Sequence, residues 1–397
     1  MIKTYTALTR NIDDPEEAVR EICEQLNVEK NALKNTIGIM HFFHECAESG
    51  VCQAVEKALP FPLVGTVSTY TSVSGEYGEF VFAVTMITSD DTHFSIHNIE
   101  NINTKPKQEI ADEFLALCKE ICSVEKPKMV MSFLSASNNF SADELVALTN
   151  KLPETLPFFG SVAFNIESVG THYVASEGKV SSDMLTLVAF YGAVNPTFHV
   201  TTSFAFDDKF LDDAEITDAD GTVIKTVNNQ PVLQYLISQG LVSEDRTLAD
   251  GSIWALPALL SYSDGTTVVR AFVGIDEEND YVFATGAMEV GARIKFSLMD
   301  AGKTLASAAE IVERLSNLEA NDVIAYSCAA RAWSLGTEIH AEAEKIAECA
   351  KVFEAKHGKP FVFSVVSSGG EICPVTDKDG KLVNVLHNYT LSACSLN

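Results

Sequence analysis

The feature that most constrains this chain is a short apolar segment that recurs three times. Residues 62–69 read PLVGTVST, residues 157–164 read PFFGSVAF and residues 360–367 read PFVFSVVS. Each copy opens on proline, passes two apolar residues and a variable position, and reaches a hydroxyl residue followed by valine. The hydroxyl residues are Thr66, Ser161 and Ser364, and the valines are Val67, Val162 and Val365. The first two copies stand 95 residues apart. Self-similarity at such a period marks one supersecondary unit used more than once.

The surroundings repeat as well. An apolar run of strand character precedes each copy, at residues 36–43, 128–135 and 322–329. A helical stretch precedes each run, at residues 15–26, 107–122 and 301–315. Pro15 after Asp14 suits a first helical position. Between run and motif lies a second helical stretch. Ser141 and Glu144 form a capping-box pattern there in the second copy, and residues 338–356 are rich in Ala, Glu and Lys. Further strands, GEFVFAVTMI and SDMLTLVAFYG, follow the first two motifs. The unit reads helix, strand, helix, strand, strand. It predicts a mixed α/β (α+β) fold of layered αβ sandwiches, two stacked halves with a pocket between them.

Residues 200–300 differ. Asp220-Gly221 is a hairpin signal, a proline and a short helix follow at residues 230–240, and further strand-like runs suggest antiparallel pairing. The predicted division is therefore residues 1–200 and 201–397. A chain of 397 residues is long for one core.

Composition excludes several classes. Asp and Glu number 55 against 28 Lys and Arg, a net charge of −27. Nucleic acid and anionic lipid both demand a basic patch. No apolar run approaches the roughly 20 residues that span a bilayer, and residues 1–19 lack the apolar core of a signal peptide. The nine cysteines, Cys118 and Cys122 included, read as thiols in a reducing, cytoplasmic setting.

The densest polar set lies in the C-terminal third: Ser327-Cys328-Ala329-Ala330-Arg331, then Ser368-Gly369-Gly370-Glu371, then His387-Asn388. Ser327 and Cys328 end a buried strand, where an α/β layout opens its crevice. Gly369-Gly370 lets backbone approach a ligand closely. Arg331 offers a fork for carboxylate or phosphate, or pairs with Glu371. His387 and Asn388 sit in an apolar strand, where polar side chains need partners.

These three clusters, SCAAR, SSGGEICP and LHNYTL, resemble the C-terminal FIST domain. The segment ITDADGTVIKTVNNQPVLQYL resembles its start, and PLVGTVST resembles the N-terminal FIST partner. One departure is Ala330, where a glycine commonly precedes the arginine. The resemblance implies a sensory module for a small polar ligand such as an amino acid. It implies a site built from Ser327, Cys328, Arg331, Ser368, Gly369, Gly370, Glu371, His387 and Asn388. With no output domain within these residues, it also implies a separate signalling partner, a kinase, cyclase or chemoreceptor.

Two rivals remain at the level of sequence. Cys328 is a candidate nucleophile, activated by Arg331 or His387, in a hydrolase-like enzyme. The other rival is a gas sensor that binds haem, as some FIST relatives do. His41, His44 and Cys46 are the nearest to a ligand set for haem or a metal, although a strand would point the two histidines to opposite faces.

Overall fold

The computed structural model describes residues 2–137, 139–152, 155–165, 171–203, 214–245, 253, 256–263 and 265–396. Three six-stranded sheets enclose one interior, and each has the same strand order. The first runs Lys3–Thr9, Phe82–Ser89, Asn35–Phe42, Leu63–Val67, Val174–Ser176, Lys179–Ser181. The second runs Thr92–Glu100, Met184–Gly192, Met129–Leu134, Phe158–Val162, Glu371–Thr376, Leu382–His387. The third runs Thr197–Thr202, Thr390–Ser395, Asp322–Cys328, Val362–Ser368, Thr71–Val73, Glu76–Gly78. In each, the two central strands pair in parallel and the others are antiparallel.

The arrangement is cyclic. The motif strands Leu63–Val67, Phe158–Val162 and Val362–Ser368 hold the fourth place in their sheets. Each is flanked by a hairpin lent from another unit, so no unit closes its sheet alone. Strands on both sides of residue 200 therefore share sheets, and the body is three interlocked units in place of two stacked halves.

Helices cover the outer faces. Pro15–Leu26 starts where Asp14 accepts from the Glu17 amide at 3.1 Å, and Ala142–Thr149 carries the full Ser141–Glu144 capping box. Val51–Ala58, Lys107–Ile121, Ala301–Asn317 and Ala341–His357 complete the helical coverage that the sequence predicts.

Side chains alternate across each strand. The inward set meets at a central core that includes Ile39, Phe133, Phe159, Tyr326, Val366 and Cys373. His41 lies among these rings, 6.4 Å from Phe133 and 5.7 Å from Tyr326 between centroids.

Hairpin register defines which residues correspond. Val174 opposes Thr66, Glu371 opposes Ser161, and Thr71 opposes Val366. Thr66 and Ser161 thus correspond, as the motif predicts, but their third counterpart is Val366, two residues past Ser364. The short hairpins are what the sequence reading missed, and they set this offset.

A fourth, antiparallel sheet is built from strands between Ala214 and Phe296 around its own core of Ile216, Leu233, Leu260 and Phe272. The Asp220-Gly221 turn joins Ala214–Asp220 to Val223–Val227, and Val232–Ser238 is the short helix.

Candidate functional site

The three polar clusters meet where the central strands of the third sheet end. Cys328 opposes Ser368 and Ser327 opposes Ser367 in the parallel pair. Glu371 begins the next strand and opposes His387. Thr390 begins the strand after that and donates to Glu371 Oε2 at 2.8 Å.

The clusters nonetheless divide between two faces of the sheet. Ser327 points outward, to the helices. Its hydroxyl donates to Glu342 Oε2 at 2.5 Å. Arg331 is fully buried there. Its Nε donates to Glu342 Oε1 at 2.9 Å, Nη1 to Ser203 Oγ at 2.7 Å, and Nη2 to Ser307 Oγ at 2.9 Å and Thr304 O at 3.1 Å. Nη2 also donates to Glu342. A buried guanidinium needs a counter-charge and filled donors, and Glu342 and its neighbours supply both. The Arg331–Glu371 pair weighed from sequence is not formed, because Glu342 occupies that role.

Cys328, Ser368 and Glu371 face the interior, on the side of Tyr326, Val366 and Cys373. Glu371 has no solvent exposure. Thr390 satisfies one carboxylate oxygen, while Oε1 has no hydrogen-bond partner. Burial pushes this carboxyl well above its ordinary range, partly offset by the Thr390 hydroxyl, the Arg331 charge and the nearby Ser368 hydroxyl, whose own hydrogen is donated to Gly370 O at 2.7 Å. Ser161, its cross-strand neighbour, also carries a buried hydroxyl without a partner.

Gly369 and Gly370 spend their amides inside the chain. Gly369 N–H donates to Val162 O at 3.0 Å and Gly370 N–H to Ser368 Oγ at 3.1 Å. A Cβ on Gly369 would lie 3.1 Å from Phe164 Cβ, and one on Gly370 3.1 Å from Leu386 Cδ1. The glycines serve close passage of neighbouring chain, and their amide hydrogens are not presented as an anion cradle.

His387 Nε2 lies 3.1 Å from Cys373 O, and burial lowers its pKa to about 4. Asn388 Oδ1 accepts from Thr285 Oγ1 of the fourth sheet at 2.5 Å. Tyr389 turns the chain with φ 56°, a left-handed conformation costly for a bulky residue. Such outliers gather at functional turns.

The thiol of Cys328 is pushed up by burial and then by the nearby Glu371 charge, the opposite of nucleophile activation. Among the described residues no group of three His, Cys, Asp or Glu side chains is placed to hold a metal ion. His41 is 1% exposed, its Nδ1 lies 3.3 Å from Thr66 Oγ1, and the His44 ring lies 4.3 Å from that of Phe43 between centroids.

Family models match most of this architecture: a FIST N domain over residues 37–230 and a FIST C domain over residues 231–374. The chain belongs to the FIST family. FIST domains are sensory domains of signal-transduction proteins. The FIST C match takes in Ser327 through Glu371, while His387 and Asn388 lie past its end. No curated protein matches the chain. Two solved structures align at 8% identity: phosphoribosylformylglycinamidine synthase II of Thermotoga maritima, with TM-score 0.21 over 99% of this chain and 71% of that one, and PurLQS of Thermotoga maritima, with TM-score 0.22 over 100% and 72%. No helix among the described residues is long and apolar enough to cross a membrane.

Glu342, Ser203, Thr285 and Arg270 join the site without any signal in the sequence. Glu342 reads there as one more acid on a solvated Ala/Glu/Lys-rich helix, and only the fold brings it beneath Ser327.

Proposed function

We propose that this FIST protein is a cytoplasmic sensor that binds a small polar ligand at the meeting of Cys328, Ser368, Glu371 and Asn388. The observation that carries this reading is Glu371. It is a fully buried carboxyl with one oxygen unpartnered, at strand ends where α/β folds place ligands. The corresponding positions in the other two sheets hold Val174 and Thr71. The fold therefore does not require an acid here, and an unsatisfied buried acceptor costs about 1–3 kcal/mol. A ligand with an N–H donor, such as the ammonium of an amino acid, would meet that need. Binding would favour one arrangement of the chain over another, read by a separate kinase, cyclase or chemoreceptor.

The test is calorimetry and thermal melting with amino acids and small primary amines. Binding that weakens at least tenfold in Glu371→Gln and in Thr390→Val supports the reading. If no amino acid or amine at millimolar concentration shifts the melting temperature, the reading fails.

A further inference from the structure

The strand end and turn that carry His387 and Asn388 are held from outside the three-sheet body. Arg270 ends the strand Thr267–Arg270 of the fourth sheet and is 4% exposed. Its Nη1 donates to Leu386 O. Its Nη2 donates at 3.0 Å to Asp143, in the first turn of helix Ala142–Thr149. One guanidinium thereby ties three separate parts of the chain: the fourth sheet, the helix of the second unit and the strand Leu382–His387 that leads into the site. Asp143 is also held by the Ala287 amide, in the segment just after strand Tyr281–Ala284 of the fourth sheet.

A second tie lies alongside. Thr285 Oγ1 donates to Asn388 Oδ1 at 2.5 Å while accepting from the Ala271 amide at 3.2 Å. An apolar cluster fills the space between, with Val269, Leu259 and Ala271 of the fourth sheet against Cys328 and Tyr389 of the body. There is no slack at this junction: a Cβ on Gly286 would lie 2.6 Å from Arg270 Nε and 2.9 Å from Asp143 Oδ2.

We infer that Arg270 and Thr285 are positioning residues of the site, so that docking of the fourth sheet and ordering of residues 386–390 form one equilibrium. The inference rests on the ligand-site reading for its biological meaning. A fork is required at Arg270 because one donor must reach a carbonyl and another a carboxylate. A ligand at Glu371 and Asn388 would then change how firmly the fourth sheet sits, and coupling of this kind is reciprocal.

Amide hydrogen exchange of the full chain, with no ligand added, tests this apart from ligand binding. In Arg270→Met, exchange at residues 386–390 is expected to quicken at least tenfold, while strands Asn35–Phe42 and Phe82–Ser89 stay unchanged. Arg270→Lys, which can serve Asp143 or Leu386 O but not both, is expected to lie between. Asn388→Ala is expected to quicken exchange in Tyr281–Ala284 in return. Unchanged exchange at 386–390 in Arg270→Met, or equal acceleration in all three sheets, would overturn the inference. If Arg270→Met does not fold, Thr285→Val decides: at least threefold faster exchange at Asn388 and Tyr389 supports it, and no change there refutes it.

Discussion

Arg331 and Glu342 form an ion pair inside the protein, the arginine side chain wholly buried and the glutamate side chain 7% exposed. Ser327 donates to the same carboxylate. The pair therefore balances its own charge, fixes the start of helix Ala341–His357 against the end of strand Asp322–Cys328, and, with Ser203, Ser307 and Thr304, leaves every nitrogen of Arg331 hydrogen-bonded.

Breaking this pair from one side strands the other charge. Glu342→Gln is expected to cost about 3–5 kcal/mol, the range for an uncompensated buried ion. Replacing both residues together, as Arg331→Met with Glu342→Leu, is expected to cost less than the single change. Urea denaturation of the parent and these two variants measures this, and a single change no worse than the double would contradict the pairing seen here.

Cys328 is expected to be inert. Its thiol is buried and pushed upward by burial and by Glu371, and thiolate is the reactive form. Alkylation near neutral pH should mark the exposed Cys122 at least tenfold faster than Cys328, with peptide mass mapping as the readout. Rapid selective labelling of Cys328 in the folded protein would restore the nucleophile reading.

The balance between what was legible and what was not follows from range. Helix starts were legible because Asp14, Pro15, Ser141 and Glu144 act within one turn of themselves. The α/β alternation was legible because periodicity is local. That Thr66 and Ser161 correspond is legible from a matching motif, but the motif puts Ser364 where the fold puts Val366. Val366 takes that place because the hairpin Thr71–Val73/Glu76–Gly78 pairs from nearly three hundred residues away. Clusters at Ser327–Arg331, Ser368–Glu371 and His387–Asn388 were visible as polar residues in apolar runs. Their division between two faces, and the partners Glu342 and Thr285, depend on tertiary pairing that no local pattern encodes.

The buried titratable groups pull stability in opposite directions with pH. His41 and His387 titrate near 6.5 when unfolded but are lowered by burial to about 3 and about 4. Folded chains then hold fewer protons, so their contribution is full above pH 6.5 and is lost as pH falls below it. Glu371 is raised above 4.5, so its contribution is present at low pH and lost as pH rises through the folded value. Relative to the parent, His41→Phe is expected to gain up to about 1.4 kcal/mol for each pH unit below 6.5. Glu371→Gln is expected to gain as pH rises instead. Denaturant titrations between pH 4.5 and 8 give both slopes, and parallel curves for parent and variant would remove the titration in question.

The close packing of the parallel strands gives the sharpest contrast between positions. A Cβ on Gly160 would lie 1.9 Å from Ser132 O, and one on Gly65 1.7 Å from Met40 O. Both contacts are with backbone of the paired strand, which cannot rotate aside. In the third sheet the corresponding residue is Val365, opposite Ala325, so close approach there is relaxed. Gly221 by contrast has φ 58° and open space around its Cβ position. Gly160→Ala is expected to destabilise by at least about 3 kcal/mol, at or beyond the usual cost of overpacking. Gly221→Ala carries only backbone strain, about 1 kcal/mol. Urea melts of the two single variants provide the comparison. Equal losses would mean that the parallel pairs at Gly65 and Gly160 can separate, and that the glycine in the recurring motif is not set by strand contact.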